Sequence, residues 1–109
     1  MPDETPFEAL QRAAEHGEAY AQVWLGYQLL NGLGLDGIVD EAGARAWFIK
    51  AAEQGDVEAQ LALSGMLDQG LGGAKDKAEA SHWLRMAAAQ KYQEALQEAS
   101  QWAAIEQEG

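Results

Sequence analysis

Two histidines, eighteen carboxylates and three serines are the side chains of this 109-residue chain that could move a proton or attack a carbon. Imidazoles that share a zinc ion on one helix stand four residues apart, as in H-E-x-x-H. His16 and His82 have no such neighbour. His16 precedes Gly17, where a cation would complement the C-terminal end of a helix dipole. His82 precedes Trp83 and reads as a surface or inter-helix residue. Ser64, Ser81 and Ser100 open neither S-x-x-K nor G-x-S-x-G, so the nucleophile motifs of serine hydrolases are missing. The acids are spread along the chain, and no spacing isolates an acid/base pair. The glycine-rich "GLGLDG" and "GLGG" follow no strand and precede no G-K-[ST], so they fail the test of a phosphate cradle and read as turns. With no cysteine there is neither thiol chemistry nor a cysteine-based metal site. The expectation is no catalytic residue, no metal, no cofactor and no enzyme. The enzymatic alternative is a hydrolase using His82 and carboxylates in a groove.

Charge narrows the partners. The chain carries −11 at pH 7. Nucleic acid and anionic membranes are disfavoured, because binding either requires cations. A protein or peptide partner, and a basic one in particular, suits this charge. No run approaches the roughly 18 apolar residues of a membrane span. The opening "MPDETPFEAL" has no apolar core of a signal peptide. These features predict a single cytoplasmic domain, residues 1–109.

The elements that would position any site are written in a repeat. "RAAEHG" (12–17), "KAAEQG" (50–55) and a worn "MAAAQK" (86–91) align on Ala-Ala. In that register Ala21-Gln22 matches Ala59-Gln60 and Ala95-Leu96. Leu25-Gly26 matches Leu63-Ser64, Gly32 and Gly34 match Gly70 and Gly72, and Asp40 with Trp47 matches Asp76 with Trp83. Apolar residues recur at helical spacing on both sides of each glycine loop. Each unit therefore predicts two helices, with full repeats at about 19–54 and 57–90 and half repeats at 5–16 and 92–107. Gly55 stands where a left-handed residue stops a helix, and Asp56 where an N-cap starts the next. Asp76 and Glu79 have capping-box spacing. Gly26 inside a helix predicts the close approach of a neighbour, which Ser64 at the same place would loosen. Neither helix of a pair can bury its apolar face alone, so the units must stack.

The strings "AQVWLGYQLLNGLG", "DEAGARAWFIKAAEQG", "AQLALSGMLDQGLG" and "DKAEASHWLRMAA" resemble the Sel1-like repeat, a relative of the tetratricopeptide repeats. The departures are Leu29 and Leu67 at a usual tyrosine, Gly43 and Glu79 at a usual lysine, and the loss of Ala-Gln and Leu-Gly from the third first-type helix. The resemblance implies an all-α, right-handed solenoid of stacked antiparallel helical hairpins, about six helices in all. It also implies use as a scaffold or adaptor, with the first helix of each pair lining a concave face.

On the first-type helices, Tyr20, Trp24, Tyr27 and Asn31 form a stripe beside the core positions Ala21, Leu25 and Leu29. Gln28, Met66 and Trp102 share one register; Glu58 and Glu94 share that of Tyr20, and Glu98 that of Trp24. Residues 18–31, 56–69 and 92–108 contain eight acids and no lysine or arginine. These ten residues are the expected partner-binding face: aromatic anchors with a carboxylate surround that would steer a basic protein segment. Two alternatives accompany this adaptor reading. One is an inhibitor or immunity-type protein that binds a toxic effector. The other is a unit that self-associates, as a homodimer through the C-terminal helix with Trp102 and Ile105 at the contact.

Overall fold

The computed structural model describes residues 3–34 and 37–108, with side chains through Ala104. Ile105, Glu106 and Glu108, which the sequence places on the last helix, have side chains outside that range. Five helices follow one another: α1 (Pro6–Glu15), α2 (Ala19–Asn31), α3 (Glu41–Glu53), α4 (Val57–Gln69) and α5 (Lys77–Glu108). Each packs on its neighbours in sequence, α1 on α2 through to α4 on α5. That is the stacking of a solenoid. The extents, 56 × 43 × 20 Å, give a thickness of two helix diameters.

Local chemistry starts each helix. Thr5 Oγ1 accepts from Glu8 N at 3.1 Å, and the Glu8 carboxylate accepts from Thr5 N at 3.3 Å, a reciprocal capping box with Pro6 in the first turn. The Oδ1 atoms of Asp40, Asp56 and Asp76 accept from Gly43 N (2.8 Å), Ala59 N (3.0 Å) and Glu79 N (3.0 Å). The Asp76 box is only half formed, because the Glu79 carboxylate accepts from Trp83 Nε1 at 3.4 Å instead.

The repeated "AAE-x-G" closes the first two inter-repeat turns identically. Gly17 N and Glu18 N donate to Ala14 O and Ala13 O, and Gly55 N and Asp56 N donate to Ala52 O and Ala51 O. Gly17 and Gly55 have φ of 96° and 93°, which a side chain would strain. A buried glutamine then clamps each turn: Gln22 Nε2 donates to Ala14 O at 3.1 Å, and Gln60 Nε2 to Ala52 O at 3.3 Å.

The third turn does not form. Where the sequence predicts a break between helices at 77–90 and 92–107, α5 runs unbroken for 32 residues. The all-α solenoid stands, but with five helices among the described residues rather than six. The reason is local. Lys91 replaces the glycine, Tyr92 replaces the acidic starter, and Leu96 replaces the clamping glutamine. No signal opposes helix continuation, and every residue from Ala88 to Ala104 is exposed.

Phe48, Leu25, Leu63 and Gln60 are the largest fully buried side chains. A Cβ on Gly26 would lie 2.8 Å from Phe48 Cε1, the close approach that the glycine predicts. At the equivalent point of the next unit, Ser64, Ala80, Ser81 and Leu84 line an open groove of about 400 Å³ between α4 and α5.

Candidate functional site

Tyr20, Trp24 and Tyr27 lie one turn apart along α2, and their rings form a continuous ladder. The Tyr20–Trp24 centroids are 6.2 Å apart at 65°, and the Trp24–Tyr27 centroids 6.5 Å apart at 64°. Both are edge-to-face arrangements, which favour ring quadrupoles. Trp24 is 48% exposed, whereas Tyr27 is half-buried and stands edge-on to the core ring of Phe48 at 5.0 Å. The core thus holds the inner end of the ladder and solvent meets the outer end.

Across from the ladder stands the start of α4. Tyr20, Val23, Trp24 and Tyr27 form one side of a cleft of about 290 Å³, and Asp56 and Glu58 form the other. Val23 supplies a buried apolar floor. Asp56 and Glu58 also line a second, wider depression of about 450 Å³ that reaches Gln90, Lys91 and Glu94 on α5. The two depressions share Asp56 and Glu58, and together they extend from the α2 aromatics to the middle of α5.

Tyr27 reports this electrostatic setting. Its hydroxyl pKa is raised above the ordinary 10.0, first by burial and then by the carboxylates of Glu58 and Asp56, all of which oppose a phenolate. Its folded-state value is higher, so the unfolded chain loses this proton first as pH rises. Stability is then lost as pH climbs from the ordinary value through the raised one, and Tyr27 adds no pH dependence below that window. Glu58→Gln is expected to lower the Tyr27 value, read as an earlier phenolate absorbance rise in a spectrophotometric titration. An unchanged titration would remove Glu58 from the cleft's electrostatics.

The ten sequence-derived residues do not all meet here. Tyr20, Trp24, Tyr27 and Glu58 line the cleft, and Glu94 lines its continuation. Gln28 is half-buried and Asn31 exposed farther along α2, where Asn31 Nδ2 donates to Tyr27 O at 2.9 Å. Glu98 and Trp102, the latter 62% exposed, stand on the projecting half of α5. Met66 is a correction: at 3% exposure it belongs to the core with Leu63 and Leu67 and offers no surface to a partner. Its register matches that of the half-buried Gln28, yet Met66 packs into the core cluster with Leu63, Leu67 and Ala80. Val23 and Asp56 are cleft residues that pattern reading passed over. One looks like ordinary core, and the N-cap role of the other accounts for it completely.

His82 is exposed on α5 with its ring 5.4 Å from that of Trp83. It lines none of the clefts described above. The described residues contain no group of three or more histidine or acidic side chains that could hold a metal ion. None of their helices is long and apolar enough to cross a membrane.

The repeated turns and clamping glutamines correspond to a known repeat. The Sel1 repeat model matches residues 19–56 and 57–92. The chain belongs to the Sel1 repeat family. A crystal structure of a Sel1 repeat protein from Oxalobacter formigenes is similar over 85% of this chain, at 40% identity and a TM-score of 0.70. This chain spans about a quarter of that protein, 26% of its length. No curated protein matches this chain. Sel1 repeats are generally protein–protein interaction modules of a non-catalytic, scaffold type. The matched units end at Asp56, in the turn between α3 and α4, and at Tyr92. The second of these Sel1 boundaries therefore falls inside the continuous α5.

Proposed function

We propose that this Sel1 repeat chain is an interaction module that holds a basic protein segment in the groove between the α2 aromatic ladder and the acidic start of α4. The observation that carries this reading is the pairing of Trp24 and Tyr27 with Asp56 and Glu58 across one cleft. A lysine or arginine side chain suits both walls. Its aliphatic stem packs on the rings, its charge meets ring faces and carboxylates, and a cation over an aromatic ring contributes roughly 0.5–2 kcal/mol. Asp56 and Glu58 give the cleft a negative wall, which favours fast, salt-sensitive association, while Glu94 farther along is offset by Lys91 Nζ at 3.9 Å. The helices are preformed, so little ordering is needed on this side of the complex.

Selection from a random displayed-peptide library is expected to enrich segments containing lysine or arginine. Trp24→Ala, which removes a half-exposed ring, is expected to weaken them about 30-fold or more, the mark of a hot spot. Glu58→Lys should abolish the preference for basic segments. Enrichment of acidic peptides, or binders indifferent to Trp24→Ala in a chain that still folds, would sink this reading.

A second reading, self-association through α5, is favoured by a different observation. Leu84, Tyr92, Leu96 and Trp102 are all exposed along that helix, by 45–63%.

A further inference from the structure

We propose that two copies of this chain pair by exchanging the 92–107 segments of their straight α5 helices, each segment packing on residues 80–90 of the other copy's α5. The proposal rests on the self-association reading above and specifies its register. Its basis is what the repeat shows at the equivalent position. On α3, Ala44, Phe48, Ala51 and Ala52 are all buried, with α2 on one side and α4 on the other. Their counterparts on α5 are Ala80, Leu84, Ala87 and Ala88. Ala80 and Ala87 are buried, whereas Leu84 is 52% exposed and Ala88 is exposed too. Ala88 occupies the side that α4 covers on α3, where Gln60 Nε2 reaches the Ala52 carbonyl, whereas Leu84, like Phe48 against Gly26, faces the preceding first-type helix across the groove between α4 and α5.

The chain contains a first-type helix for that place. Ala95, Ala99 and Ala103 stand in the register of Ala59, Leu63 and Leu67, the α4 residues that face α3 and the core. Small residues there permit close helix contact. Leu96 stands at the glutamine position, where a leucine suits an apolar contact and makes no clamp to its own turn. This segment cannot fold back on its own α5, because the helix that carries it is unbroken through Gln90, Lys91 and Tyr92. In a second copy it can. Two straight helices laid antiparallel, and crossing near Lys91, place each 92–107 half on the other's 80–90 half. This reproduces the α3–α4 arrangement twice about one two-fold axis. Exchange of an element that packs identically within and between chains is a low-cost route to a symmetric dimer. The junction also leaves a mark in the core. Gln22 Oε1 accepts from Gln54 Nε2 at 2.9 Å, but the buried Gln60 Oε1 has no partner among the described residues. Its equivalent donor would be Gln90, which is exposed on the straight helix.

Two measurements on the full chain test the exchange. Sedimentation equilibrium is expected to give twice the 11.8 kDa chain mass at high micromolar concentration. A monomer there would overturn both the exchange and the self-association reading. The double variant Ala88→Cys/Leu96→Cys then reads the register, since Gln60 meets the Ala52 carbonyl at the equivalent pair. Along one straight helix these positions are about 12 Å apart, too far for a disulfide. With oxidised glutathione, covalent dimer is the expected product. A disulfide within the monomer would mean that the segment folds back on its own chain. A non-covalent dimer without a disulfide would mean another interface, and either result overturns the exchange alone. Lys91→Gly/Tyr92→Asp, which restores the "QGD" of residues 54–56, is expected to halve the mass with helicity retained. A dimer that survives it also overturns the exchange, and if this variant does not fold the cysteine pair decides.

Discussion

Phe48→Ala is expected to destabilise the chain by about 3–5 kcal/mol, the usual cost of emptying a buried aromatic site. For a domain of this size that is a large share of a total of roughly 5–15 kcal/mol. It would appear as a fall in melting temperature of roughly 10–25 °C. Phe48 is 0% exposed, faces Tyr27 edge-on, and lies against the backbone of Gly26, where no side chain can move in to fill the space. Leu84→Ala at the equivalent position of α5 should cost less than about 1 kcal/mol at concentrations where the chain is monomeric, because Leu84 is already half exposed. Urea or thermal unfolding followed by circular dichroism checks both. Equal losses for the two would mean that α5 is covered as α3 is. Loss of Phe48 also frees Tyr27, so partner binding should weaken in that variant before the fold is lost.

Arg45→Met is expected to cost about 2–3 kcal/mol, a loss larger than removal of a surface charge produces. The Arg45 guanidinium donates from Nε to Leu71 O at 2.8 Å, from Nη1 to Ala74 O at 3.0 Å and from Nη2 to Met66 O at 3.2 Å. It gathers the end of α4 and the loop after it onto α3. Methionine keeps the length of the stem but leaves the Leu71 and Ala74 carbonyls without this donor. Arg85→Met, on the exposed side of α5, should change stability by no more than about 0.5 kcal/mol. Chemical denaturation gives the two values, and faster amide exchange at residues 70–76 in Arg45→Met would place the damage at the loop. No such localised exchange would remove Arg45 from that role.

The surface ion pairs of Arg12 and Lys77 call for less. Arg12 Nε lies 2.8 Å from Glu4 Oε1, and Lys77 Nζ lies 2.9 Å from Asp68 Oδ1. Hydrogen bonding and charge from these cations hold the Glu4 and Asp68 carboxyls below their ordinary pKa values. Their contribution is present above the ordinary carboxylate range and fades as pH falls through the lowered values. Both pairs are solvated, so it is small.

Much of the architecture was legible in the order of residues. Helix starts and stops are short-range events: an aspartate three residues before the amide it caps, or a glycine that alone tolerates a left-handed φ. The Ala-Ala repeat, Asp40, Asp56 and Asp76, and the turns at Gly17 and Gly55 therefore predicted α1 to α4 and the start of α5 correctly. The family followed from the same residues. Tyr20, Trp24, Tyr27 and Glu58 could be placed on one face because helical periodicity assigns faces without knowledge of neighbours.

What periodicity does not contain is which face a neighbour covers. Met66 and Gln28 share a register, yet only the packing of neighbouring helices decided that Met66 is core. Nothing in the sequence pattern marked Arg45, because the carbonyls it binds lie 21 to 29 residues away along the chain. Asp56 and the α2 aromatics became two walls of one cleft only when α4 packed beside α3. The third junction shows the limit most clearly. The repeat predicted a turn at Lys91, but a repeat forms a turn only where its stop, start and clamp are all present. With those three replaced, the backbone hydrogen bonds of a continuous helix are the lower-energy choice. The apolar stripe that the turn would have buried is left on the surface.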